Sequence, residues 1–67
     1  MNRNLLRGAI AEAGLTQKTV SEATGISRST LNSKINGHRA FDLDEARVLC
    51  EVLHIDSLEK RAEIFLS

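Results

Sequence analysis

Residues 16–37 constrain the fold more than any other part of the chain. A small residue, Ser21, is followed four positions later by Gly25 and then by the apolar Ile26. Two short helices that cross at a steep angle need this order, because a small side chain permits close approach and glycine adopts the positive φ of a tight turn. The spacing predicts one helix on each side of the turn, with Leu31 packing the second helix against the first.

Helix start and stop signals divide the whole chain into five predicted helices. Left-handed C-terminal glycines are expected at Gly14, Gly25 and Gly37. N-terminal caps are expected at Thr16, Ser27, Asp42 and either Asp56 or Ser57. The predicted helices are Asn4–Ala13, Gln17–Thr24, Arg28–Asn36, Leu43–Leu53 and Leu58–Leu66. Because the sequence has no alternating strand pattern, it predicts an all-α, compact five-helix bundle forming one domain over residues 1–67.

Apolar residues at helical spacing predict the core. The first four helices are expected to bury Leu6, Ile10, Ala13, Val20, Ala23, Leu31, Ile35, Leu43, Ala46, Leu49, Cys50 and Leu53. The lone cysteine cannot form an intramolecular disulfide and is interpreted as a buried thiol. Gly8, inside the first helix, suggests that another helix crosses closely there. The last helix carries more apolar residues than one face needs, and they serve either core closure or self-association: Leu58, Ile64, Phe65 and Leu66.

Charge is distributed unevenly, although the 9 basic and 9 acidic residues of this 67-residue chain cancel. No acidic residue occurs from Ala23 to Phe41, whereas most acidic residues follow that segment. The local field decides what approaches a surface, so the middle segment favours an anionic partner. Only two aromatic residues are present, which argues against proteins that stack unpaired bases on aromatic side chains.

The outer face of the third predicted helix carries side chains that hydrogen-bond to base edges and phosphates. Its members are Arg28, Ser29, Asn32 and Ser33. Such a face suits the major groove of DNA. Alternatives stay open here. Arg28 either contacts a guanine or phosphate of DNA or is a surface arginine that pairs with an acidic side chain. The small polar residues contact DNA or are merely solvated, and Lys34 contacts DNA or covers the edge of the core.

At these positions the chain resembles the helix-turn-helix domains of phage repressors and Cro proteins, over nearly its whole length. The matching residues are Leu15, Gln17, Val20, Ser21, Gly25, Ile26, Leu31, Asn36 and Gly37. Two positions depart from the family pattern. Ser21 replaces the more usual alanine, which is acceptable if its hydroxyl bonds to a carbonyl one turn earlier. Lys34 stands at a commonly apolar position, and Ile35 takes the apolar role.

The resemblance implies a lambda-repressor-like fold, with the helix-turn-helix formed by helices 2 and 3, and a role for each matching site residue. It implies that Arg28, Ser29 and Ser33 contact base edges, with Asn32 beside them. It also implies that Gln17 contacts a phosphate and braces a base-reading side chain. Positions near the sugar-phosphate backbone are Thr16, Asn36, His38 and Arg39, and Ser27 caps the helix that enters the groove.

These observations predict a sequence-specific regulator of transcription that binds double-stranded operator DNA, a repressor of phage or prophage origin that blocks polymerase. A homodimer, weak or assisted by DNA, would bind half-sites about 34 Å apart.

The alternative is an antitoxin or adaptor that uses the acidic face of helices 4 and 5 to bind a protein partner. Catalysis is not expected, because a serine nucleophile needs a base and an orienting group within reach and a bundle of this size offers no deep cleft. A bound metal is not expected, because neither histidine has a ligand partner at the required spacing. No cofactor, small-molecule substrate or membrane role is expected either. A signal-peptide core and a membrane-length apolar run are both missing, so we expect a cytoplasmic location.

Overall fold

A computed structural model describes residues 1–66. Within that range the chain forms five α-helices and no strands. They are α1 (Arg3–Glu12), α2 (Gln17–Thr24), α3 (Arg28–Ile35), α4 (Leu43–Val52) and α5 (Leu58–Phe65). The all-α prediction is confirmed. Four helices end one residue before the predicted end, because the final residue of each serves as the C-cap.

Side-chain caps fix where the helices begin. The four predicted helix starts are confirmed, and their caps are Thr16, Ser27, Asp42 and Ser57. At α4 a capping box closes in both directions: Glu45 N donates to Asp42 Oδ1 at 2.7 Å, and Asp42 N donates to Glu45 Oε1 at 2.9 Å. This reciprocal pairing satisfies two backbone N–H groups that the helix itself leaves without partners. The first helix begins one residue earlier than predicted because Asn2 caps it, accepting from Leu5 N at 3.1 Å.

The turn between α2 and α3 contains the predicted left-handed glycine. Gly25 has φ 78°, and its N–H donates to the Ser21 carbonyl. The Ser21 hydroxyl donates forward to the carbonyl of Ile26 and not to a carbonyl one turn earlier, so a different bond from the one considered above accommodates this serine. The small side chain both permits close approach of the helices and links the end of α2 to the start of α3 across the turn.

The core lies where α1, α2, α3, α4 and α5 meet. Its buried apolar residues are Leu6, Ala9, Ile10, Val20, Leu31, Ile35, Leu49, Cys50, Leu53, Ile55 and Ile64. Burial raises the pKa of the Cys50 thiol, as expected for a sulfhydryl that acts as a small apolar side chain. Phe41 packs edge-to-face on Phe65 with ring centroids 5.9 Å apart, which ties α5 to the loop before α4.

Several residues predicted to be buried lie on the surface. Ala13 and Ala23 are exposed because each lies at the end of its helix. Leu43 is 85% exposed, although it begins the helix with the clearest apolar spacing. Periodicity identifies which face of a helix is apolar, but it does not show how far along that face a neighbouring helix reaches. Gly8 is also exposed, with nothing within 4 Å of an added Cβ, so the predicted close helix crossing there is wrong.

None of the helices in residues 1–66 combines the length and the apolarity that crossing a membrane requires.

Candidate nucleic-acid interface

The side chains with predicted base contacts share one face of α3. Successive helical residues are rotated by about 100°, so these four positions fall within an arc of about 140°. They are Arg28, Ser29, Asn32 and Ser33. The opposite arc holds the buried residues Leu31, Lys34 and Ile35. The helix is therefore packed on one side only, and its polar side is free to meet a partner.

The exposure of these residues decreases along α3. Arg28, Ser29 and Asn32 are exposed, and Ser33 is half-buried. Within residues 1–66, Arg28 has no carboxylate close enough for an ion pair. A guanidinium presents a planar fork of donors that matches a guanine edge or a phosphate, so Arg28 keeps its whole donor set available at the first position of the helix.

Lys34 does not belong to this polar face. It is 7% exposed, and its Nζ donates to Glu45 Oε1, which also accepts from the backbone of Asp42. The bond from Lys34, together with the bond from Asp42, lowers the pKa of the Glu45 carboxyl below its ordinary value. Lys34 therefore covers the edge of the core, and this burial favours that alternative over contact with DNA. Its charge is neutralised inside the protein and does not contribute to the positive surface.

The predicted backbone contacts at α2 and at the start of α3 are near helix N-termini. Thr16 is exposed and accepts from Thr19 N at 3.3 Å, and Gln17 follows it, half-buried, as the first residue of α2. Ser27 is exposed and caps α3, accepting from Thr30 N at 3.3 Å. Thr16 and Ser27 thus have structural roles in capping, and neither role prevents contact with DNA, because both side chains remain at the surface.

The remaining predicted backbone contacts lie at the other end of α3. Asn36 is half-buried, whereas His38 and Arg39 are exposed in the loop that follows. His38 N donates to the Ser33 carbonyl at 3.0 Å, which closes the C-terminus of α3. This end of the helix therefore presents a cation, Arg39, that has no ion-pair partner within residues 1–66.

Two arginines of α1, which sequence reasoning did not select, join this end of α3. Arg3 Nη1 donates to the Asn36 carbonyl at 2.8 Å, and Arg7 Nη2 donates to Asn36 Oδ1. Arg3 also borders the same open depression as His38 and Arg39. The spacing of four residues placed Arg3 and Arg7 on one face of a helix, but only the tertiary structure shows which element that face meets.

Residues 1–66 contain no group of three or more His, Cys, Asp or Glu side chains placed to hold a metal ion.

Comparison with protein families gives a match to the family described as helix-turn-helix, over residues 6–60. The match covers most of the chain, which therefore belongs to the helix-turn-helix family, a class of DNA-binding regulators of transcription that are typically not enzymes. The family binds double-stranded DNA. Comparisons with curated proteins and with solved structures gave no match.

Proposed function

We propose that this protein is a sequence-specific repressor of the phage Cro and repressor type, which binds an operator and blocks transcription. The observation that carries the proposal is the polar face of α3, where Arg28 stands at the helix start without an internal partner. In this arrangement α3 lies in the major groove, and its N-terminal residues meet base edges. The residues facing bases are Arg28, Ser29, Asn32 and Ser33.

The contacts with the sugar-phosphate backbone come from both sides of α3. On one side, Thr16 and Gln17 at the start of α2 reach one strand, and Ser27 braces the entry of α3. On the other side, Asn36, His38 and Arg39 approach the backbone from the loop after α3. Phosphate contacts of this kind fix the position and orientation of the protein, whereas base contacts determine the sequence it selects.

A homodimer supplies the second half of the operator contact. Three exposed leucines border one apolar groove between α4 and α5: Leu43, Leu58 and Leu66. Cys50, Ala62 and Phe65 also line it. Leucines exposed by 85%, 80% and 85% on one surface indicate a contact with another protein surface rather than scattered apolar residues.

The occupant that fits this groove is a second copy of the chain. A two-fold interface pairs a patch with itself and so requires a self-complementary patch. The border of the groove carries charges of both signs, Asp44 with Arg47 and Arg61, and this mixture supports pairing of the groove with its own copy. The dimer is expected to place two α3 helices in half-sites about 34 Å apart, one turn of the duplex.

In vitro selection of bound duplexes from a random pool tests the proposal. Selected sequences should contain two related half-sites separated by about one helical turn. Arg28→Ala should weaken binding to the selected site by about 5-fold to 150-fold, corresponding to about 1–3 kcal/mol, and should relax the base preference at one position in each half-site. A matched control is Lys60→Ala, which removes the cation of an exposed residue of α5 and should leave affinity and preference unchanged. Equal binding by Arg28→Ala and the parent protein would remove the base-reading role.

The adaptor alternative is separated from a repressor by the dependence on salt. The logarithm of the DNA-binding constant should fall linearly with the logarithm of the salt concentration. The slope should be about −0.9 for every phosphate contacted. An adaptor would show no retention of duplex DNA even at low salt. The exposed groove between α4 and α5 would then be assigned to a different protein partner.

A further inference from the structure

A continuous chain of hydrogen bonds runs from α1 to the polar face of α3. Arg7 Nη2 donates to Asn36 Oδ1, and Asn36 Nδ2 donates to Asn32 Oδ1 at 3.1 Å. Arg3 fixes the middle of the chain from a second direction, because its Nη1 donates to the Asn36 carbonyl at 2.8 Å. The last member, Asn32, is one of the exposed residues proposed to face bases.

The chemistry of Arg7 gives this chain a direction. A guanidinium donates hydrogen bonds and cannot accept them, whereas a side-chain amide has one accepting end and one donating end. The accepting end of Asn36 must therefore face Arg7, which leaves its Nδ2 directed at Asn32. The Oδ1 of Asn32 accepts that bond, so the Nδ2 of Asn32 is turned to the other side.

We propose that Arg7 is a positioning residue for DNA recognition, which acts through Asn36 to present the donating end of Asn32 to the base edge. This inference rests on the proposed function. Arg7 is charged, and hydrogen bonds from a charged donor are roughly twice as strong as neutral ones. It can therefore hold the amide of Asn36 in one of its two orientations, and the amide of Asn32 follows.

The consequence is a base preference at the position that Asn32 faces. Guanine presents two acceptors, N7 and O6, in the major groove, whereas cytosine presents a donor at N4. A donating amide nitrogen favours guanine and disfavours cytosine. If the amide of Asn32 were reversed, its oxygen would favour the amino groups of cytosine and adenine instead.

Three substitutions separate this role from simple contact with a phosphate. Arg7→Lys keeps a charged donor and should keep the guanine preference. Arg7→Ala removes the charged donor and should reduce the preference for guanine over cytosine at that one position by about 5-fold or more, the equivalent of about 1 kcal/mol. Asn36→Asp leaves only acceptors beside Asn32, which should then reverse its amide and shift the preference towards cytosine or adenine.

The decisive readout is the relative affinity for duplexes that differ at this one base pair, because a weaker phosphate contact lowers affinity for all of them equally. Lys60→Ala serves as the control for loss of one positive charge. Unequal loss across the duplexes supports the proposal, and equal loss or no loss with Arg7→Ala overturns it.

A second measurement needs no DNA. In the NMR spectrum of the free protein, Arg7→Ala should shift the side-chain amide signals of both Asn36 and Asn32, and Arg7→Lys should restore them towards the parent values. Unchanged Asn32 signals in Arg7→Ala would overturn the hydrogen-bond chain even if the protein binds DNA. If the signals shift as expected but the protein retains no duplex, the proposed function fails and the chain itself stands as a structural link.

Discussion

Lys34 and Glu45 form an ion pair that joins the inner side of α3 to the first turn of α4. The oxygen that accepts from Lys34 also accepts from the backbone N–H of Asp42. One carboxylate oxygen thus completes a helix cap and holds the proposed DNA-recognition helix in place. The pair is largely shielded from solvent, with the two side chains 9% and 21% exposed.

We expect Lys34→Met and Glu45→Gln each to destabilise the protein, because each leaves the remaining charge without its partner in a mostly buried position. The two substitutions should not be additive: their coupling energy should be about 1–3 kcal/mol, between the values of exposed and fully buried pairs. Urea denaturation of both single variants and the double variant measures this coupling. Additive losses would show that the ion pair does not stabilise the fold.

The Lys34–Glu45 ion pair also makes the stability of the fold depend on pH. The bonds from Lys34 and Asp42 lower the pKa of Glu45 in the folded state below its ordinary value of 4.5. The unfolded chain therefore binds a proton at Glu45 at a higher pH than the folded chain does, and stability falls as the pH drops below about 4.5.

This loss should be smaller in Glu45→Gln, which has no carboxyl to titrate. Denaturation series between about pH 3 and pH 6 test the difference. Parallel curves for the parent and Glu45→Gln would contradict the assigned role.

The Ser21 hydroxyl should contribute to stability by linking the two sides of the turn. Ser21→Ala removes the donor to the Ile26 carbonyl and should lower the free energy of unfolding by about 0.5–1.5 kcal/mol. Ser29→Ala is the matched control, because Ser29 is exposed, and it should not reduce stability. If the two serine variants had the same stability as the parent, the Ser21 bond would be energetically neutral.

Two glycines should respond to alanine with opposite signs. Gly8 lies inside α1 without a positive φ and with open space around it, so Gly8→Ala should raise the free energy of unfolding by about 0.5–1 kcal/mol through helix propensity. Gly25 also has open space, but its φ is 78°, and Gly25→Ala should cost about 1–2 kcal/mol through backbone strain alone.

In a domain of this size 1 kcal/mol corresponds to a change of about 4–8 °C in the unfolding midpoint, so thermal denaturation resolves both effects. A lower midpoint for Gly8→Ala would indicate a contact at that position that the structure does not contain.

The proposed dimer predicts that Leu58→Glu abolishes self-association. Leu58 is 80% exposed at the groove between α4 and α5, so the substitution should leave the monomer folded while placing a charge in the two-fold interface. Sedimentation measures the dimer, and binding to DNA gives a second readout. Affinity should fall for an operator with two half-sites and remain the same for a single half-site.

Lys60→Glu, on the same helix but outside that groove, is the control and should leave both results unchanged. A parent protein that stays monomeric on a two-half-site operator would exclude this dimer.

The sequence determined the features that depend on local chemistry. Gly25 is at the turn because a positive φ favours glycine, and Asp42 begins α4 because its side chain and that of Glu45 close a capping box. The polar face of α3 also follows from the sequence, since helical rotation alone places Arg28 and Asn32 on the same side.

The tertiary structure decided which side chains meet across elements and how far each apolar face is covered. Lys34 bonds to Glu45, which lies 11 residues away in sequence, and Arg7 bonds to Asn36, which lies 29 residues away. No local spacing specifies such distant pairs. Leu43 follows the apolar spacing of α4 yet stays in solvent, because burial requires a neighbouring helix at that point along the axis. Local backbone preferences act within a few residues, whereas burial and long-range pairing depend on how all five helices of residues 1–66 pack together.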